Sequence, residues 1–148
     1  VCVCVCCVVC CGRKMTVMKK PANGGLFVGV SAPGIQPDWQ GLTYDHSSSY
    51  GMYSYGVVKA AGQWTIDDFA KLPASSIVHA DLINQRNKWD KLFCAGDEVV
   101  VVLDCDAHTV RLQSPTVQHV IDIQPQHHKQ QWVLNVNFMW GDHQVKLV

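Results

Sequence analysis

Seven histidines and one short acidic stretch are the residues of this chain whose types suggest metal or acid–base chemistry. Asp104, Asp106 and His108 recur at every second position, and on a strand this spacing would project all three side chains to one side, where a hard cation could bind. No glycine follows them and no glutamate closes a loop as in calcium-binding motifs, so an ordinary acidic turn is favoured. We therefore expect no bound metal and no cofactor.

The remaining reactive side chains give little support to catalysis. His127 and His128 are adjacent, so on an extended chain they point in opposite directions, and we expect both to be exposed loop side chains. Cys94 or Cys105 with a histidine could form a nucleophile and its base, but Cys105 lies inside the strand–turn–strand segment 99–113, where we expect it to pack as a small buried hydrophobe. Neither a nucleophile elbow nor a phosphate-binding glycine loop occurs, so we expect no enzyme.

A polar loop with large aromatic residues is the better candidate for a binding site. Residues 36–49 are too rich in proline, glycine and serine to form a strand, yet they carry aromatic side chains that a plain linker would not need. Such side chains are stiff anchors in recognition surfaces, although for each one alone a place in the core is an equal alternative. We expect a partner-binding surface formed by Trp39, Tyr44, Asp45, His46 and Tyr50, with Trp140 as a neighbour.

The length and the net charge of the chain limit the classes of partner that it can be expected to bind. The chain has 148 residues, which is the usual length of one domain, and 48% of them are hydrophobic. The 12 Lys and Arg residues balance the 12 Asp and Glu residues. Because nucleic acids and anionic membranes are bound through basic patches, we expect neither as a partner. The oligomeric state stays open.

The first eleven residues, VCVCVCCVVCC, contain only valine and cysteine. Since GTG and TGT encode these two residues, we interpret residues 1–11 as a low-complexity gene-model artefact and residues 12–148 as the domain, truncated at its N-terminus. A metal site, a membrane span and a palmitoylated tail are alternatives, but the cysteine spacing, the short length and the lack of a flanking anchor argue against them. Without a signal peptide, a glycosylation acceptor or a cysteine framework, a cytoplasmic location is expected.

The strongest structural signal is a predicted β-hairpin. Residues 99–103 form an unbroken run of β-branched and aliphatic side chains, which predicts a central strand buried on both faces. Residues 104–108 supply an acidic turn, and residues 109–113 alternate as a returning strand. Ala107 and His108 are unsuited to a two-residue primed turn, so a longer turn is expected.

Weaker signals suggest the remaining elements. Turn residues at Asn23-Gly24-Gly25 predict a hairpin, and Gly29 predicts a bulge or a close backbone approach. Thr65 is a candidate N-cap for a short helix ending at Pro73. The strands predicted outside the central hairpin are residues 14–18, 26–30, 50–59 with a break at Gly56, 76–83, 117–123, 132–138, and, after a Gly141-Asp142 turn, 145–148.

The segment 93–113 resembles the signature of SPRY domains, in which a Gly-Asp pair opens a hydrophobic strand, an acidic turn follows and a Thr-started strand returns. The matching residues are Gly96, Asp97, Leu103, Asp104, Asp106 and Thr109. The resemblance extends with gaps over residues 26–148, but Ser114-Pro115-Thr116 stands where the family often has an aromatic residue and Asn-Gly. It implies an all-β antiparallel β-sandwich with concanavalin-like jelly-roll architecture and at most one short helix, as the alternating strands also do.

The resemblance also implies a function. SPRY domains are non-catalytic protein-interaction modules, often the target-recognition domains of larger intracellular ubiquitin ligases, so we expect the partner to be another protein or peptide. A carbohydrate-binding, lectin-like β-sandwich is the alternative, and a hydrolase or metal-dependent enzyme is a third hypothesis that rests on the histidines alone.

Overall fold

The computed structural model describes residues 5–7, 12–19, 24–35, 43–139 and 142–148. Among them are eleven strands, one short α-helix and three 3₁₀ turns at Phe69–Lys71, Ala74–Ser76 and Pro125–His127. The elements are β1 (Val5–Cys7), β2 (Gly12–Lys19), β3 (Gly25–Ser31), β4 (Tyr50–Tyr53), β5 (Val58–Ala60), β6 (Gln63–Ile66), α1 (Ala80–Asn84), β7 (Glu98–Asp104), β8 (Thr109–Gln113), β9 (Gln118–Asp122), β10 (Val133–Met139) and β11 (Gln144–Leu147).

Two antiparallel sheets form the fold. The first sheet has the strand order β1-β10-β3-β4-β5-β6, and the second has the order β11-β2-β7-β8-β9. Buried aliphatic side chains of both sheets, such as Val28, Val136, Val101 and Leu112, form one core cluster. Because each sheet buries one apolar face against the other, the result is the expected antiparallel β-sandwich with one short helix.

The central hairpin forms as predicted. β7 pairs with β8 through Val101↔Leu112 and Asp104↔Thr109, and β7 lies in the middle of the second sheet. Burial along β7 alternates, however, since Val99, Val101 and Leu103 are buried while Val100 and Val102 are only half-buried. The expectation of a strand buried on both faces was wrong, because only one face of this sheet packs against the opposite sheet.

The turn between β7 and β8 is longer than two residues, as expected. Asp104 Oδ1 accepts hydrogen bonds from the backbone N–H of Asp106 at 3.1 Å and of Ala107 at 2.8 Å. His108 closes the turn with φ of 54°. Asp104 therefore acts as a backbone cap of the kind that short acidic side chains make in turns.

The Gly-Asp pair before β7 has a structural role that its sequence pattern does not reveal. Gly96 has φ of 91°, a conformation that favours glycine. Asp97 is buried and accepts two hydrogen bonds of 2.8 Å from the guanidinium of Arg86, and its Oδ2 also accepts the N–H of Cys94 at 2.8 Å. This bidentate pair fixes the segment after α1 against the start of the central strand.

Two predicted hairpins are instead connections between the sheets. β2 lies in the second sheet and β3 in the first, and likewise β10 lies in the first sheet and β11 in the second, where it pairs with β2. Both predictions of local pairing were wrong. Crossing between sheets allows each of these strands to turn its apolar side toward the same core, which local turn residues cannot indicate.

Two helix and strand assignments were also wrong. Residues 63–66 form β6, paired with β5, and the 3₁₀ turn that follows is capped by Asp68, whose Oδ1 accepts the N–H of Ala70 at 2.9 Å. Residues 76–83 form no strand, since only an isolated bridge joins Ile77 to Val117 before α1 begins. In both segments the apolar residues are few, so tertiary pairing outweighed the local preference.

Gly29 marks a close backbone approach, as expected. It pairs with Gly51 between β3 and β4, and a Cβ atom on either glycine would overlap the backbone of the other strand. The two glycines therefore permit these strands to lie at this spacing.

Candidate partner-binding surface

The outer face of the first sheet carries an aromatic cluster apart from the main core. Phe27, Tyr44 and Tyr53 are buried there, with ring centroids 5.0 to 5.5 Å apart. Tyr53 also stacks on Trp64 of β6, at 6.0 Å and an interplanar angle of 9°. Aromatic pairs at these separations add to the stability gained from burial alone, so the cluster is a firm base for the chain that crosses it.

Residues 43–49 cross this face and are held by buried hydrogen bonds. Thr43 Oγ1 donates to Asn135 Oδ1 at 2.8 Å, and the N–H of Thr43 donates to Asn137 Oδ1 at 3.2 Å. Ser49 Oγ donates back to the carbonyl of Thr43 at 2.6 Å. Because the two asparagines are buried and their partners lie in the loop, the loop conformation is tied to β10.

A buried lysine lies beneath the same loop. The side chain of Lys59 is 1% exposed and forms an ion pair with Asp45, whose side chain is 53% exposed. Its ammonium group lies 4.3 Å from the ring centroid of Trp64 and 5.0 Å from that of Tyr44. Burial lowers the pKa of Lys59, and the carboxylate and the two ring faces compensate for part of that desolvation.

The predicted site residues separate into three groups. Asp45 and His46 are exposed on the loop, as a contact surface requires, whereas Tyr44 is 6% exposed and Tyr50 is fully buried. Tyr44 therefore supports the surface from within, whereas Tyr50 packs in the main core, and the expectation that their rings are offered to a partner needs correction. Trp39 and Trp140 lie outside the described residues.

Tyr50 belongs to a hydrogen-bonded group at one end of the sandwich. Its hydroxyl accepts the N–H of Gln124 at 3.1 Å and lies 2.6 Å from Nδ1 of His127, to which it can donate. Burial raises the pKa of Tyr50 and lowers the pKa of His127. The neutral imidazole is the form that accepts this hydrogen bond at Nδ1.

The two adjacent histidines are not simply exposed. His128 Nε2 lies 2.9 Å from the carbonyl of Ile123, and its ring stacks on His108 with centroids 3.5 Å apart. His127 and His128 are both half-buried, so the expectation of exposed loop side chains was wrong. The carbonyl of Ile123 and the ring of His108 cover His128, and Tyr50 covers His127, which explains their burial.

Metal ligands are not clustered among the described residues. These residues contain no group of three or more His, Cys, Asp or Glu side chains that could hold an ion. Ser76 Oγ and His119 Nδ1 are 2.8 Å apart, but Ser76 is buried, so a substrate could not reach the hydroxyl. Cys105 is half-buried and packs against the main core.

Sequence reasoning missed Trp64, Lys59 and the two buried asparagines. Trp64 directly precedes the N-cap of the predicted helix, yet it lies on β6, where it is 55% exposed beside the loop. Asn135 and Asn137 share one face of β10, and the alternation of polar and apolar residues along this strand predicts that face to be exposed to solvent. The absence of charged residues at these positions was the one available signal that this face is covered.

The fold and these contacts place the chain among SPRY-like β-sandwiches. The SPRY domain of human HERC1 has this fold: it is 19% identical in sequence, superposes with a TM-score of 0.58, and the match covers 99% of this chain and 77% of that one. No protein-family model matches the chain, and no curated protein matches its sequence. In the part of the chain that is described, no helix is long and apolar enough to cross a membrane.

Proposed function

We propose that this chain is a non-catalytic protein-recognition module whose partner contacts the exposed surface formed by Asp45, His46 and Trp64. The observation that carries the proposal is the exposed indole of Trp64, which lies on buried Tyr53 beside a loop fixed by internal bonds. A large exposed aromatic side chain on a rigid base is typical of the residues that dominate binding energy at protein interfaces.

Rigidity of the loop supports this assignment. The loop is fixed by Thr43, by Ser49 and by the ion pair between Asp45 and Lys59, so a partner would meet a preorganised surface. Preorganisation lowers the entropy lost on binding. Trp39 and Trp140 lie outside the described residues and remain candidates from the sequence alone.

The cellular setting is an extension of the same proposal. We propose a cytoplasmic protein in which this domain selects the target of a larger, ubiquitin-ligase-like assembly. The support is the resemblance in the segment 93–113 together with the fold shared with the HERC1 domain.

Two substitutions test the surface, with thermal stability and partner capture measured for each. Trp64→Ala also removes the ring that faces Lys59 and Tyr53, and His46→Ala removes the partner of Ser48, so we expect a small loss of thermal stability in each. Capture per folded molecule should fall by at least about tenfold, as for an interface anchor. Val120→Ala is the matched control, because Val120 is an exposed hydrophobic residue on β9 of the other sheet.

Tyr44→Ala distinguishes a side chain that supports the surface from one that contacts the partner. Because the ring of Tyr44 is buried against Phe27 and Tyr53, its loss should reduce stability before it reduces capture per folded molecule. Full capture by both Trp64→Ala and His46→Ala would show that the partner binds elsewhere. Binding of a defined sugar on a glycan array, lost in Trp64→Ala, would favour the lectin-like alternative.

A further inference from the structure

A groove with aromatic walls opens beyond the aromatic cluster. It has a volume of about 400 Å³ and is walled by the half-buried rings of Tyr55, Phe69 and Trp89. The rings of Tyr55 and Trp89 meet edge to face, with centroids 5.2 Å apart. This volume lies within the range of roughly 300 to 1,000 Å³ found for ligand pockets, so the groove has room for one large apolar side chain and its adjoining backbone.

The acidic groups at this groove are already engaged. Asp67 Oδ1 accepts a hydrogen bond of 2.6 Å from Lys71, which compensates its charge. Asp68 Oδ1 caps the 3₁₀ turn by accepting the N–H of Ala70 at 2.9 Å. Both carboxylates therefore have partners within the chain.

The basic groups at the groove keep their charge uncompensated. Lys91 Nζ donates to the carbonyls of Ile83 and Arg86, which are neutral partners. Lys88 is exposed, and its ammonium group lies 5.0 Å from the ring centroid of Trp89. Among the described residues, neither lysine takes part in an ion pair. Asp68 is bonded to a neutral N–H, so with the Asp67–Lys71 pair set aside the groove has apolar walls, two positive charges and one negative charge. The excess is positive, and it suits an acidic partner group.

We propose that this groove binds an extended peptide segment of a partner protein in which a large apolar side chain lies next to an acidic residue. The apolar side chain fills the space between Tyr55, Phe69 and Trp89, and the carboxylate pairs with Lys88. The cation–π contact with Trp89 holds the ammonium group of Lys88 at the groove wall, where a bound carboxylate is partly shielded from water.

The inference rests on the proposed recognition function but concerns a separate surface from Asp45, His46 and Trp64. The two surfaces lie on either side of Tyr53, which touches Trp64 at 6.0 Å and Tyr55 at 5.0 Å between ring centroids. One partner chain could therefore contact both. Each surface can nevertheless be tested without the other.

The test uses ¹⁵N-labelled protein and a set of short, acetylated and amidated Gly/Ser peptides. Each peptide carries a central Leu, Phe or Trp followed by Asp, Asn or Lys, and binding is followed by the indole N–H signal of Trp89. We expect the Asp peptides to shift this signal and to bind about tenfold more tightly than the Asn peptides, with the advantage falling as salt is raised.

Lys88→Glu is the decisive variant, because Lys88 is exposed and its replacement should not disturb the fold. It should reverse the preference, so that Lys peptides bind best. Trp89→Ala removes the reporter itself, so peptide binding to this variant is followed by the backbone amide signals of Tyr55 and Phe69, and it should be abolished for the whole set. Trp64→Ala and Val120→Ala should bind as the parent does.

Three results would overturn the inference: no peptide of the set shifts the Trp89 signal, the Asp, Asn and Lys peptides bind equally, or Lys88→Glu leaves their order unchanged. If no peptide binds but partner capture still depends on Trp64, the groove inference is wrong and the proposed loop surface stands. If the peptides bind but partner capture is the same with and without the Trp64 side chain, the loop surface is wrong and the groove inference stands.

Discussion

The buried ion pair between Asp45 and Lys59 makes the loop and the sheet depend on one another, and Asp45→Asn tests this. The substitution keeps the size of the side chain but leaves the ammonium group, in a side chain that is 1% exposed, without its counter-charge. Removing one partner of a fully buried pair costs about 3 to 5 kcal/mol. Asp45 is half-exposed, and Tyr44 and Trp64 still face the cation, so a smaller loss of about 1 to 3 kcal/mol is expected.

The direction of the Lys59 pKa shift determines how the stability deficit of Asp45→Asn changes with pH. Burial lowers the pKa of Lys59 in the folded protein, so the unfolded chain binds the proton more readily. Lys59 therefore reduces stability below its folded pKa, and this cost disappears as the pH rises through that pKa toward the ordinary lysine range. Without the Asp45 carboxylate the pKa of Lys59 falls further, so the stability deficit of Asp45→Asn should be largest where Lys59 is protonated in both folded proteins and should shrink as the pH rises toward the ordinary lysine range.

Urea unfolding at several pH values measures the effect. Asp67→Asn is the matched control, since Asp67 pairs with Lys71 at the surface and should give no measurable change. Adding Lys59→Met to Asp45→Asn should restore stability, because an apolar side chain of similar length needs no counter-charge. A deficit no larger than that of the control, or one that is constant with pH, would refute the reasoning.

Three further predictions concern the fold. Val101→Asp should lower the free energy of unfolding by more than about 3 kcal/mol, since it places an unpaired carboxylate at a buried position of β7; a melting temperature within a degree or two of the parent would contradict this. Gly51→Ala should cost about 2 kcal/mol or more in urea unfolding, because the added Cβ would overlap Val28, Phe27 and Gly29; an unchanged midpoint would show that the strands can separate. Deletion of residues 1–11 should leave the circular dichroism spectrum and the cooperative melting intact although it removes β1 from the edge of β10, and loss of cooperativity would identify β1 as a genuine strand of the domain.

The sequence predicts those parts of this fold in which local pattern and tertiary pairing agree. The β7–β8 hairpin, the alternating residue types of β8 and β10, the length of the turn at Asp104 and the close approach at Gly29 are all encoded locally. The predicted helix between Thr65 and Pro73 and the predicted strand 76–83 were assigned wrongly because a few apolar residues fit helix and strand equally well. There the pairing of β6 with β5 and the bridge from Ile77 decide the outcome.

The candidate surface was predictable only in part. Loop composition directed attention to Asp45 and His46, but it could not show that Tyr44 turns inward onto Phe27. Nor could it show that Trp64, far along the sequence, lies beside the loop or that Lys59 is buried beneath it. These relations depend on the order of strands in the first sheet, which no local pattern contains.

The connections that cross between the sheets have a consequence for how the chain acquires its structure. β3 and β2 near the start of the chain pair with β10 and β11 near its other end, so each sheet lacks a strand until both distant segments are present. Pairings of such long range form slowly, because the entropy of closing the intervening loop is lost before any contact compensates it. During synthesis β2 and β3 therefore keep unpaired edges until β10 and β11 have left the ribosome. Unpaired strand edges promote aggregation, so we expect this interval to be the one in which chaperones matter most.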